Sequence, residues 1–188
     1  MAKIQIFSDS IIVSELINTQ LHQRINEVLE EYIASNQNRK VSNSGGFHTP
    51  DIQCPFILKT LTENSGILLK ENYVFKKNTS LKISSAWINK NFKYNFNRPH
   101  VHRSNFSGIY YVQTPEKEGN LVFLKESFSE ELCNNQHFIE NSFHTSFRIS
   151  PKPNQLILFP SNYMHLVEPH FEDKPRISVA FNIDFFYG

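Results

Sequence analysis

Pro151-Lys-Pro-Asn-Gln-Leu-Ile-Leu-Phe-Pro-Ser-Asn-Tyr-Met-His-Leu-Val-Glu-Pro169 is the stretch whose reading decides the architecture. It holds two short apolar runs, Gln155 to Phe159 and Met164 to Pro169, each entered through a compact turn, Pro151-Lys152-Pro153-Asn154 and Phe159-Pro160-Ser161-Asn162. Proline fixes φ and asparagine tolerates turn geometry, so both turns have a mechanism. The same rhythm extends outward on both sides from residue 80 onwards. Leu81 to Asn89, Phe92 to Phe96, Asn105 to Gln113, Leu121 to Leu124, Ser142 to Ile149 and Arg176 to Phe186 read as further strands. Short strands at regular spacing with turn signals between them indicate a sandwich or barrel, and eight suffice for a jelly roll.

Upstream of residue 80 the pattern differs. Residues 3 to 7 alternate as a short strand, and Ser14 is placed to cap a helix whose apolar positions Leu16, Ile17, Leu21, Ile25, Val28, Leu29, Tyr32 and Ile33 have helical spacing. Polar residues from Asn36 to Gly46 read as a loop. A second helix is expected from about Pro55 to Tyr73, weakened by Ser65-Gly66 in its middle. The polar, aperiodic residues 125 to 141 form the longest irregular insertion.

The chain has 188 residues, enough for one domain with a sizeable core, so residues 1–188 are read as a single domain with a helical part over about 1–79 and a β core over about 80–188. Lys plus Arg total 19 against 18 for Asp plus Glu, leaving no large field to hold nucleic acid or an anionic membrane. The 17 phenylalanines and 7 tyrosines suit pleated, half-buried strands. Cys54 and Cys133 are the only cysteines, too few for a disulfide framework and consistent with a reducing cytoplasm. With no apolar segment of leader or membrane-spanning type, a soluble, intracellular protein is expected.

Three histidines stand out from this background. His100 and His102 are one residue apart and would share a strand face, and His165 follows the Pro160-Ser161-Asn162 turn. Three neighbouring imidazoles can hold a metal on one side and leave positions open. An HxH pair is by itself also compatible with surface or satisfied core histidines. His48, His137, His144 and His170 lie in loops or at strand ends and read as solvated, and His22 belongs to the first helix.

Arg176 opens the alternating run Arg176-Ile-Ser-Val-Ala-Phe-Asn182, so Arg176, Ser178, Ala180 and Asn182 share one face. A guanidinium aimed inward needs an anion. It can hold a carboxylate through two parallel charge-assisted hydrogen bonds, with Ser178 adding a third donor. The alternative is an edge-strand arginine paired with Glu168, Glu172 or Asp173. Tyr110 shares parity with His100 and His102 and could contact a bound ligand, with Tyr111 facing away. A bulge at Gly108 would reverse that count. On the strand before the histidine pair, Asn89 could contact a bound ligand, as could Asn182, while Trp87 reads as core. No Gly-rich phosphate cradle and no nucleophile elbow is present.

Ser42-Asn-Ser-Gly-Gly-Phe-His48, Ala86-Trp-Ile-Asn89, Pro99-His-Val-His102, Ser107-Gly-Ile-Tyr-Tyr-Val112, Leu156-Ile-Leu-Phe-Pro-Ser161, His165-Leu-Val-Glu-Pro169 and Arg176-Ile-Ser-Val-Ala-Phe-Asn182 occur in this order over almost the whole chain. In these blocks the sequence resembles the 2-oxoglutarate and iron(II)-dependent dioxygenases, in particular a bacterial and phage branch of that superfamily. The His-to-Arg interval and Arg-x-Ser are the most specific parts.

The resemblance implies a mainly β (α+β) fold, a double-stranded β-helix or jelly-roll core with the N-terminal helices packed on one sheet. It implies that His100 and His165 bind Fe(II), and that Arg176 with Ser178 grips the distal carboxylate of 2-oxoglutarate; strand parity adds Tyr110, Asn89 and Asn182 as candidates for contact with the cosubstrate, with packing the alternative role. His102 departs from the usual carboxylate. As a third ligand it would leave the complex one unit more positive and soften the preference towards zinc, copper or nickel, with Glu126 as the alternative carboxylate. The implied reaction consumes O2 and 2-oxoglutarate, releases succinate and CO2, and hydroxylates a protein or peptide side chain or a small metabolite. Nucleic acid is disfavoured as substrate by the balanced charge. Two rivals remain open at this point: a cupin-type metalloenzyme that does not use 2-oxoglutarate, and a non-enzymatic jelly-roll module.

Overall fold

The turn-punctuated half of the chain pairs into antiparallel sheets in the computed structural model, which describes residues 10–116, 119–124 and 146–188. Elements run in the order β1 (Ile12–Glu15), α1 (Thr19–Ala34), β2 (Asn43–Ser44), β3 (Phe47–His48), α2 (Pro55–Asn72), β4 (Thr79–Asn91), β5 (Phe96–His100), β6 (Phe106–Gln113), β7 (Leu121–Leu124), β8 (Ser146–Ile149), β9 (Gln155–Pro160), β10 (His165–Val167) and β11 (Arg176–Tyr187). One sheet has the order β1-β9-β6-β11-β4-β3 and the other β2-β5-β10-β7-β8. This is the expected mainly β jelly roll, with two helices on the outer face of the larger sheet.

Strand alternation divides the larger sheet into two environments. Ile88, Tyr110, Leu156, Leu158, Val179 and Phe181 point outward and pack against Leu21, Ile25 and Leu29 of α1 and Ile57, Leu61 and Leu69 of α2. Their neighbours Ile109, Tyr111, Ile157 and Phe159 point inward and meet Leu121 and Phe123 of the second sheet. Each fully buried Leu, Ile or Phe contributes about 1.5–3 kcal/mol, so the helix layer and the inter-sheet layer each have a substantial drive to form. Gly108 sits where β6 passes the Phe181 ring, and a Cβ there would collide with that ring.

Several boundaries differ from the sequence reading. Ser14 does not cap α1: it lies in β1 opposite Leu156, and Leu16 and Ile17 precede the helix. The cap is Asn18, whose Oδ1 accepts the Leu21 N–H at 2.9 Å. Edge pairing with β9 holds the chain extended up to Glu15, which delays the helix. Helix α2 continues through Ser65-Gly66, both buried, because tertiary burial outweighs their low propensity. Residues 92 to 95 form a turn, not a strand: Tyr94 has φ 68°, and the Phe92 N–H donates to Asn95 Oδ1 at 2.9 Å. Among the described residues no helix is long and apolar enough to cross a membrane. The expected strand over residues 3 to 7, the insertion over 125 to 141, and Glu126, Cys133, His137 and His144 lie outside the described residues.

Candidate metal centre

His100 is the last residue of β5 and His165 the first of β10, and the two face each other across the sheet with ring centroids 4.3 Å apart. His102 lies two residues beyond the end of β5, so the strand pleat does not bring it in. A turn does: its backbone N–H donates to Ser161 O at 2.8 Å, which returns its ring to within 5.1 Å of His165 and 5.0 Å of His100. One ligand-capable nitrogen from each of the three rings lies within 4.8 Å of the others.

The outward side of each ring is held by protein. His100 Nδ1 donates to Arg98 O at 2.7 Å and His165 Nδ1 to Tyr163 O at 2.9 Å. A carbonyl only accepts, so the proton resides on Nδ1 and the lone pair on Nε2. The Asn182 side chain lies beside the His102 ring and partly offsets the effect of burial on it. Burial holds all three imidazoles below their ordinary range, His102 at about 4 and His165 at about 3, and repulsion from His100, once that ring is protonated, adds to the effect in both. At neutral pH the cluster is therefore three uncharged donors, the state a metal requires.

Arg176 occupies the same pocket. It opens β11, which lies between β6 and β4, so it is central and not an edge residue, and it is 1% exposed. Nη1 donates to Gly119 O at 2.8 Å and to Glu168 O at 3.4 Å, whereas Nη2 has no protein partner among the described residues. Burial pushes its pKa down, opposed by the neighbouring Tyr111. The acidic residues considered as partners are engaged elsewhere: Glu168 with Arg148, Asp173 with Lys93, and Glu172 with the Glu116 N–H.

Ser178, Asn89 and Ala180 line this pocket with Arg176 and the three histidines. Asn89 stands opposite Ser178 across β4 and β11, and its buried Oδ1 has no partner among the described residues. Asn182 is next to the cluster, bonded to Ser107 and Ser85. Tyr110 is not brought in. Its hydroxyl donates to Leu16 O at 2.9 Å and meets His22 Nε2 at 2.7 Å on the helix side of the sheet. The parity count carried from β5 to β6 had no common origin, because a turn separates the strands; Tyr111 is the tyrosine in the pocket, where burial pushes its hydroxyl up to about 12.

Two further readings change. Trp87 is a pocket residue, stacked between His102 (5.5 Å, 11°) and His48 (5.6 Å, 12°). His48 and His170 are buried at 5% and 0% exposure and not solvated; His48 Nδ1 donates to Thr49 O, and His170 Nε2 to Asn91 O. Sequence reasoning missed Asn91, Asn97 and Ser42, which link the two sheets beside Arg176. A signal existed, since Trp87, Asn89 and Asn91 alternate with Ala86, Ile88 and Lys90.

The family model described as "Putative 2OG-Fe(II) oxygenase" matches residues 85–182, the span from β4 to β11 that holds every one of these pocket features except Ser42 and His48. No curated protein matches the sequence. Similar solved structures include a prolyl-4-hydroxylase from Pseudomonas putida, 11% identical with a TM-score of 0.62 and 93% of each chain covered. HygX from Streptomyces hygroscopicus, with nickel, 2-oxoglutarate and hygromycin B bound, is 13% identical with a TM-score of 0.63, covering 94% of this chain and 83% of the other. A viral collagen prolyl hydroxylase from Paramecium bursaria Chlorella virus-1, in a 2-oxoglutarate complex, is 10% identical with a TM-score of 0.60, covering 92% and 94%. These likenesses show a shared fold.

Proposed function

The chain belongs to the 2OG-Fe(II) oxygenase family, and on that footing we propose that it binds Fe(II) through His100, His102 and His165 and 2-oxoglutarate through Arg176, and hydroxylates an organic substrate with release of succinate and CO2. The family uses Fe(II), 2-oxoglutarate and O2. The observation that carries the reading is the Arg176 guanidinium, buried in the histidine-lined pocket with Nη2 free of protein partners among the described residues. A buried cation without a counter-anion is costly, and a dicarboxylate spanning from metal to guanidinium supplies one.

The residues present fit both groups. Three neutral imidazoles, two with Nε2 lone pairs set by carbonyl-bound Nδ1 protons, suit a divalent first-row metal. Iron, when bound, supplies the redox chemistry with O2. The chain's own part is orientation: Arg176, fixed by Gly119 O, presents Nη2, with Ser178 and Asn89 beside it. The apolar inner layer of Ile109, Phe159 and Ala180 keeps bulk water from the reacting end, and bound geometry of this kind is the main contribution a protein makes to cofactor chemistry. For the substrate, the reading extends to a protein or peptide side chain or a small metabolite, supported by structural neighbours that include prolyl and collagen prolyl hydroxylases and a hygromycin B complex.

Turnover of 2-oxoglutarate tests this. With Fe(II) and O2 the parent should release succinate, slowly even without a primary substrate, and Arg176→Ala should not. Succinate release at the parental rate from Arg176→Ala would remove the carboxylate assignment.

A further inference from the structure

His102 is the ligand-type residue that no strand ladder fixes, since β5 ends at His100. A ring on a post-strand loop would sample several rotamers, and holding it costs side-chain entropy. Its surroundings are unusually well built for that purpose. Trp87, on β4, stacks on one face at 5.5 Å with planes 11° apart, and His48 stacks on the far face of Trp87. The Asn182 side chain on β11 lies beside the ring. Asn182 is itself clamped: its Nδ2 donates to Ser85 Oγ at 2.9 Å, and its Oδ1 accepts from Ser107 Oγ at 3.1 Å. Ser107 Oγ is 2.8 Å from Ser161 Oγ, and Ser161 O accepts the His102 backbone N–H. The His102 backbone is thus tied to the same connected polar cluster that fixes Asn182 beside its ring, and in that cluster Ser107 and Ser161 are both buried.

We propose that Asn182 and Trp87 are positioning residues that hold His102 as the third metal ligand, so that the centre is built for three imidazoles and not for a carboxylate. This rests on the metal-site reading above and deepens it. The clamped amide limits rotation of the ring, and the indole fixes the ring plane. A carboxylate at position 102 would present no aromatic ring to stack on Trp87. Outer partners of this kind set ligand orientation, and their loss weakens metal binding by about 10–100-fold.

The test is calorimetric titration of the metal-free full chain with Ni2+, alongside pulsed paramagnetic resonance of the Cu2+ form, which counts coordinated imidazoles. Asn182→Ala and Trp87→Leu should each weaken Ni2+ binding by about 10–100-fold and reduce the imidazole count from three to two, while His102→Ala gives the reference two-imidazole signal. Trp87→Phe, which keeps a stacking face, should recover most of the affinity. A merely structural role would lower the melting temperature without changing the imidazole count. Parental Ni2+ affinity and three imidazoles in both Asn182→Ala and Trp87→Leu would overturn the proposal and leave the metal site standing. A parent that takes up neither metal would overturn the metal site itself, and this proposal with it.

Discussion

A guanidinium buried to 1% exposure beside three neutral histidines, with Nη2 unpartnered among the described residues, calls for an anion, and Arg176 is for that reason the residue on which the proposed function rests. Truncating one partner of a buried, hydrogen-bonded charge pair costs about 2–5 kcal/mol. Arg176→Ala should therefore weaken 2-oxoglutarate binding to the Ni2+-loaded protein by a factor of tens to thousands, measured by calorimetry, with Ni2+ affinity unchanged. Gly119 belongs to the same device. It has φ 69°, and a Cβ there would stand 2.6 Å from Arg176 Nη1, so Gly119→Ala should strain the turn, displace the guanidinium and weaken 2-oxoglutarate binding while sparing metal binding. Equal affinity in Gly119→Ala would show that the carbonyl clamp is dispensable. At this scale Arg176, Ser178 and Asn89 were legible because one strand's alternation is self-consistent. Tyr110 was not, because its parity was counted across a turn, and Trp87 looked like core because aromatic residues on strands usually are.

Among the elements, helix α1 shows where local signals compete. Ser14 and Asn18 both have capping side chains, and the decision between them is made by β1 pairing with β9, a contact between residues more than 140 positions apart in sequence, such as Ser14 with Leu156. Asn18→Ala should lower unfolding free energy by about 1 kcal/mol, as expected for a lost N-cap, whereas Ser14→Ala should change it by less than about 0.5 kcal/mol. Denaturant titration of the two variants distinguishes them, and the reverse order would place the helix start wrongly. The β core was more legible than the helix boundary, since turn chemistry at Pro151 to Asn154 and Pro160 to Asn162 is local. The start of β5 was not, because Tyr94 with its positive φ carries no obvious turn signature.

For the molecule as a whole, the histidines sheltered from water make stability depend on acid. His22, His48, His100, His102 and His165 are all held below their ordinary range by burial. Above pH 6.5 these groups are neutral in both folded and unfolded chains and contribute no slope. As pH falls below 6.5 the unfolded chain takes up protons that the fold refuses, down to about 4 at His102 and about 3 at His165. Each histidine kept neutral removes about 1.4 kcal/mol per pH unit. The metal-free protein should therefore lose stability steadily between pH 6.5 and 4.5, by denaturant titration, and His165→Ala should flatten that slope. Unchanged stability over that range would mean the imidazoles protonate in the fold. The two-sheet arrangement explains why this pocket exists: one larger sheet carries Arg176, Ser178 and Asn89, the smaller carries His100 and His165, and their inner faces converge.

The most direct measurement is anaerobic titration of the full chain with Fe(II) and then 2-oxoglutarate, followed by admission of O2. A visible metal-to-ligand charge-transfer band that saturates with 2-oxoglutarate, is absent in Arg176→Ala at the same concentrations, and gives way to succinate once O2 enters is the predicted result. Folded protein that binds Fe(II) yet develops no band and releases no succinate would contradict the account.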